Sequence, residues 1–442
     1  MVSLSMAGAV FGSLAAGPFS DIYGRKPTIL VSNFLVVIGS ILACTSKFIM
    51  MLMIARFLMG LGIGIISLVI PLYLSEIAPL HIRGQIIAYL VASHSLGVFL
   101  SGYVSLNLGN KWRLMLFFES IPMFIQIIWM FYMPESPRWL GVQNEDDRCL
   151  ESLAMIYDDI DSEKQLDLIK YEISRIEKVS YFRGIKQLLT TYKKCLIVGS
   201  TLRIFKQFIG MSIFLQYGPE IMIDAGRGLD DGQSRDVQGI ILSLPLTATN
   251  AVGSIVAIFT IERIGRRKSM LYSIPLISFF LLLISIAMHL SSSSDNATKF
   301  FGGDMLTFAM ILYFLVISFG FHSACEAINS EIYPIHLIGT AQGISIAFNW
   351  LANFSMASIF LTVIEDQTGI VIIFILMAVV GAIATLFVYT QVPETGGIRI
   401  QDNVENCVEG RVFEEEHDEF QFDQGAFTRH FNESQLTQNS IN

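Results

Sequence analysis

The chain has 442 residues, 53% of them hydrophobic and only 15% charged, with a formal net charge of −9. A soluble globular protein carries about a quarter charged residues, and here the charges sit at short sites between long apolar runs, which excludes a soluble domain. The negative charge comes largely from residues 141–180 and the C-terminal tail, so it belongs to solvated segments and gives no basic footprint for nucleic acid.

A bilayer core of about 30 Å is crossed by roughly 20 apolar residues. Runs of that kind predict eleven spans, at 1–20, 27–46, 49–74, 84–107, 114–133, 194–224, 237–261, 268–290, 304–333, 339–364 and 368–391. They must be helices, because lipid offers no partner to a free backbone amide. The predicted fold class is therefore all-α, a polytopic membrane protein with the bilayer as its first partner. The run 1–20 has no basic n-region and continues past Asp21 into another span, which is unlike a secretory signal.

Residues 1–133 then form an N-terminal membrane half, 134–193 linker helices with helical periodicity, and 194–391 a C-terminal membrane half. The stretch 392–442, with Glu414, Glu415 and Glu416 in a row, is expected to be a disordered acidic tail. Alternating spans place Arg25, Lys26, Arg83, the linker and Arg263, Arg266, Arg267 and Lys268 on one side, which the positive-inside rule makes cytosolic. The five cysteines have no paired spacing, and no phosphate loop, HExxH or nucleophile elbow is present. No catalytic residue, cofactor or metal is expected.

Three short motifs recur. Asp21-Ile-Tyr-Gly24-Arg25-Lys26 is echoed by Glu262-Arg-Ile-Gly265-Arg266-Arg267, and Glu76-Ile-Ala-Pro79 by Glu331-Ile-Tyr-Pro334. Pro134-Glu135-Ser136-Pro137 is echoed by Pro393-Glu394-Thr395. Three collinear echoes indicate a duplication, of the sort that builds a midplane site between two rocking halves. Two spans precede Gly-Arg-Arg in the second half and one precedes Gly-Arg-Lys in the first, so the register predicts that one N-terminal helix is missing.

With Arg56, Gly60, Pro71-Leu-Tyr73-Leu-Ser-Glu76, Arg83-Gly84 and Pro134-Glu-Ser-Pro-Arg138-Trp139-Leu140, these motifs resemble the sugar-porter branch of the major facilitator superfamily over about residues 8–397. The resemblance implies two pseudo-symmetric helical halves and alternating access for a small polar solute, with a sugar or polyol favoured. Transport would be facilitative or coupled to protons, in the plasma membrane or a vacuolar or lysosomal membrane. It implies a cytosolic latch from Asp21, Arg25, Glu76 and Arg83 in the first half and Glu262, Arg266 and Glu331 in the second, with Ile338 where a second Arg would stand. It also implies substrate contacts at Gln207, Tyr217, Asn250, Asn349 and Trp350.

Other cavity positions depart from that pattern. Lys206 replaces a Gln, Ser212 an Asn and Glu326 a Trp. Charges inside a span are costly unless paired or hydrated and mark functional positions, so Lys206 and Glu326 are expected to face each other across the cavity. Glu326 shares a helical stripe with His322, Asn329 and Ser330, while His94 and Glu119 are weaker candidates. The pair motivates a second reading, a carrier of an organic ion or zwitterion. The absent helix motivates a third, a non-transporting sensor or degenerate transporter.

Overall fold

The computed structural model describes residues 2–410 apart from 80–81, 110, 175–180, 224, 226–234, 294, 365 and 397–399. The first half is built from α1 (Val2–Tyr23), α2 (Arg25–Cys44), α3 (Ile49–Ile77), α4 (Arg83–Leu108), α5 (Trp112–Phe118) and α6 (Ser120–Tyr132). Four short helices follow, α7 (Pro137–Val142), α8 (Asp146–Ala154), α9 (Asp159–Ser174) and α10 (Tyr181–Thr190). The second half comprises α11 (Lys193–Phe208), α12 (Met211–Met222), α13 (Arg235–Ile264), α14 (Arg266–Ser291), α15 (Asn296–Val316), α16 (Ser323–Glu331), α17 (Ile338–Val363) and α18 (Gln367–Gln391). Among the described residues there is no strand.

Among the described residues ten helical spans are long and apolar enough to cross a membrane. The first expected span forms α1, whose 22 residues suffice in length and include several Gly, Ala and Ser. Those small residues serve packing. A Cβ on Gly8 would stand 2.4 Å from the Phe57 carbonyl oxygen, and one on Gly12 2.2 Å from that of Leu61. In return, Gly60 and Gly64 of α3 lie equally close to Ser5 and Ala9. Two backbones approach this closely only where side chains are nearly absent, the usual means of helix association in lipid.

Three expected spans are interrupted. The run 194–224 breaks at Gly210, whose φ of 104° lies in the left-handed region, so α11 ends and α12 begins at mid-membrane depth. A carbonyl freed there is used: the Tyr313 hydroxyl donates to the Ile209 oxygen at 3.1 Å, as a helix break in lipid requires. The run 304–333 begins eight residues earlier, at Asn296, and passes through a π-helical turn, Ile317–His322, before α16. There Gly320 lies against α14, where a Cβ would meet the Ser273 side chain at 2.3 Å. Within 114–133, Glu119 separates α5 from α6.

The tail expected to be disordered starts with a helix, α19 (Ile400–Glu409). Asn403, Val404 and Cys407 are buried there, because an amphipathic face packs onto α11 and α16. Its polar composition hid that face; residues 411–442 lie outside the described residues.

Candidate functional site

The duplicated motifs meet at one end of the bundle, in the same arrangement twice. Gly24 (φ 97°) and Gly265 (φ 89°) turn the chain sharply into α2 and α14, whose first residues are Arg25 and Arg266. Arg25 donates to both oxygens of Glu76, at 2.8 and 2.9 Å, and to Asp21 at 3.2 Å. Arg266 donates to Glu331 at 3.2 Å and Glu262 at 3.3 Å. Arg suits this role because its planar fork can bond a carboxylate at two points.

Glu135 and Glu394, the acids of the recurring Pro-Glu motifs, cap the two helices. Glu135 accepts from the backbone amides of Arg25 at 3.0 Å and Lys26 at 3.1 Å. Glu394 accepts from those of Arg266 at 2.8 Å and Arg267 at 3.1 Å. The first amides of a helix have no internal partner and lie at its positive end, so a carboxylate there satisfies both needs. The next basic residue repeats the symmetry at helix C-termini. Lys26 donates to the Met133 carbonyl at 2.8 Å, and Arg267 to that of Tyr389 at 2.9 Å. The signal was available: each acid follows a Pro at the exit of the last span of its half. Arg83 begins α4, but its side chain lies outside the described residues.

Each of these ion pairs stays inside its own half. Contact between the halves at this end includes a crossing of small residues. A Cβ on Gly17 of α1 would stand 3.2 Å from the Gly339 carbonyl oxygen of α17, and one on Gly343 would stand 3.0 Å from that of Ser13. The Asp21 carboxylate lies by the first turn of α17, 3.6 Å from where a Gly339 Cβ would be. The halves also meet along α4 and α13, where the Ser95 and Ser254 hydroxyls are 2.8 Å apart.

Midway along the helices lies a second polar group. Lys206 donates to one Glu326 oxygen at 2.6 Å, and Arg203 meets the other at 3.0 Å. The expected two-charge contact is thus a cluster of three. Arg203 precedes Lys206 by three residues and shares its helix face, which was the signal for its membership. One residue further on, Gln207 donates to Asn349 at 2.7 Å and accepts from the Ser212 hydroxyl.

The remaining expected contacts are scattered. Asn250 accepts from the Ser318 hydroxyl, and Tyr217 packs against Phe360 with ring centroids 5.1 Å apart. Trp350 is part-buried with its indole N–H unsatisfied, beside apolar residues of both halves. The stripe on the π turn and α16 divides. His322 comes within 6.3 Å of His94 of α4, centroid to centroid, whereas Asn329 is held inside a packed network with Tyr333, Gln342 and Ser345. Glu119 takes no part. Among the described residues no group of His, Cys, Asp and Glu is arranged to hold a metal.

The arrangement thus holds amides of the kind that bond neutral hydroxyls next to a charged cluster of the kind that bonds an ion. Residues 1–404 match the family model described as "Sugar (and other) transporter". A probable inositol transporter of Arabidopsis thaliana is 28% identical, over 94% of this chain and 84% of its own. An arabinose–proton symporter of Bacillus subtilis is 27% identical, over 89% of this chain and 83% of its own. The solved structure of the proton:xylose symporter XylE bound to 6-bromo-6-deoxy-D-glucose has the same fold, with a TM-score of 0.74, 21% identity, and coverage of 93% of this chain and 88% of that one.

Proposed function

Because the chain belongs to the sugar (and other) transporter family, we propose that it carries a sugar or polyol through the seam between its halves. It is a multi-pass membrane transporter of a small polar organic solute, working by alternating access, and not an enzyme. The observation that carries the cargo assignment is the Gln207–Asn349 amide pair at the α11–α12 break. Neutral amides offer both donors and acceptors to hydroxyls, and a broken helix at mid-depth is where carriers expose such groups. Tyr217, Asn250 and Trp350 complete the proposed contact set. The relatives named for inositol and for arabinose with protons favour a polyol or small sugar, with protons as the candidate co-substrate. The end bearing the twin motifs is the cytosolic one, and the host membrane is the plasma membrane or that of a vacuole or lysosome.

Uptake of labelled myo-inositol, arabinose and glucose into proteoliposomes, with and without an inward acid gradient, tests this. Saturable uptake of at least one solute is expected. Asn349→Ala should reduce it about tenfold, as for the loss of one or two hydrogen bonds. Accumulation above equilibrium under the gradient marks symport, and its absence marks facilitation. A folded protein that carries none of the three, nor any acidic derivative of them, would sink the reading.

A further inference from the structure

The Arg203–Lys206–Glu326 cluster does not balance. It sets two cations against one carboxylate, with side-chain exposures of only 7% for each cation and 19% for the acid. Among the described residues neither cation bonds a second carboxylate. The other titratable groups beside it among the described residues are His94 from α4, His322 from the π turn, Cys325 of α16 and Tyr333, and none is an anion. One positive charge therefore stands uncompensated at a depth where charges cost several kcal/mol unless paired. Lys206 lies in the last turn of α11, whose carbonyl end is equivalent to about half a negative charge shared over the turn. That reduces the excess without cancelling it.

The donors are also incompletely used. Among the described residues Arg203 Nε and His322 Nδ1 are buried without a hydrogen-bond partner, and the Lys206 ammonium, which has three N–H bonds, donates only to Glu326. Buried donors left open in this way imply a missing acceptor. One residue along the same helix is the Gln207–Asn349 pair, so an acceptor of negative charge at the cluster would adjoin a hydroxyl-binding surface.

We propose that Arg203 and Lys206, positioned by Glu326, form a subsite for one carboxylate of the solute, so that the cargo is a sugar acid, a hexuronate or an aldonate. This rests on the sugar or polyol reading above and narrows it. Bound acid brings the cluster to two cations and two carboxylates. Its two oxygens take the free Nε edge of Arg203 and a free N–H of Lys206, while Gln207 and Asn349 hold the hydroxyls. Charge-assisted bonds of this type are worth more than the neutral ones that a methyl ester of the same sugar could make.

The test is competition for transport in proteoliposomes holding the full chain, comparing D-galacturonate with its methyl ester and D-gluconate with myo-inositol. Each acid is expected to compete about tenfold better than its neutral counterpart, equal to about 1.4 kcal/mol. Lys206→Met should reduce that preference to within about twofold, since only the balanced Arg203–Glu326 pair remains. If the variant does not fold, the acid-to-ester ratio of the native protein still decides. Neutral competitors as good as the acids would overturn the subsite and leave the sugar reading standing. Failure of acids and neutral solutes alike, in folded protein, would overturn both. A preference seen in methanesulfonate but abolished by physiological chloride would assign the cations to an inorganic anion and overturn the subsite.

Discussion

Glu326 is the residue on which the midplane depends most, because two cations share it. Removing it leaves both unopposed, whereas removing Lys206 leaves a balanced pair. Glu326→Ala should therefore cost about 3–5 kcal/mol of stability and Lys206→Ala much less, read as melting temperatures in detergent. Equal losses would mean that Arg203 does not take part. Neutralising Lys206 and Glu326 together, which would restore an isolated pair, should fall short here because Arg203 stays behind. The Lys206–Glu326 contact was legible in sequence, since two charges inside apolar runs must find each other or water. Arg203 was not assigned to it, although its spacing puts it on the same face as Lys206, because spacing alone does not tell how far each cation reaches once α11 and α16 cross.

Element boundaries were legible where hydropathy alone decides them, and lost where a neighbour does. Gly210 in an apolar run reads like any other glycine until Tyr313 is seen to occupy the carbonyl that its turn releases. The π turn at Ile317–His322 likewise depends on Gly320 pressing against Ser273, a contact between helices remote in sequence. The crossing of α1 and α17 is the element contact most open to test. Gly17→Leu would drive a side chain into the Gly339 backbone, 3.2 Å from the built Cβ, and hold the halves apart at that end. In a cysteine-free background, Ser13→Cys beneath the crossing should then be alkylated about tenfold faster, the effect of a 1.4 kcal/mol shift in population. An unchanged rate would mean that closure does not depend on this crossing.

At the scale of the whole molecule, the duplication was legible because its motifs sit at turns, where glycine, proline and charge have few substitutes. The orientation expected from the basic residues can be checked directly. A tag at 292–295, a stretch shorter than the loop expected from hydropathy because α15 starts at Asn296, should label on intact cells. A tag at position 420 should label only after permeabilisation, and the opposite pattern would invert the topology. The distribution of strong and weak contacts across the two halves bears on how such a carrier turns over. Every bidentate or capped carboxylate at the motif end joins segments that move together, so each half behaves as a stiff lever. What must part when that end opens includes the glycine crossing, apolar contacts of Leu68 and Leu72 of α3 with α17, and one carboxylate beside a helix terminus, a charge–dipole contact of about 0.3–1 kcal/mol. The charged bonds described at that end thus stay within the levers, and the halves can swing without breaking them. A bound solute then sets the direction of the swing by changing the relative stability of the two positions.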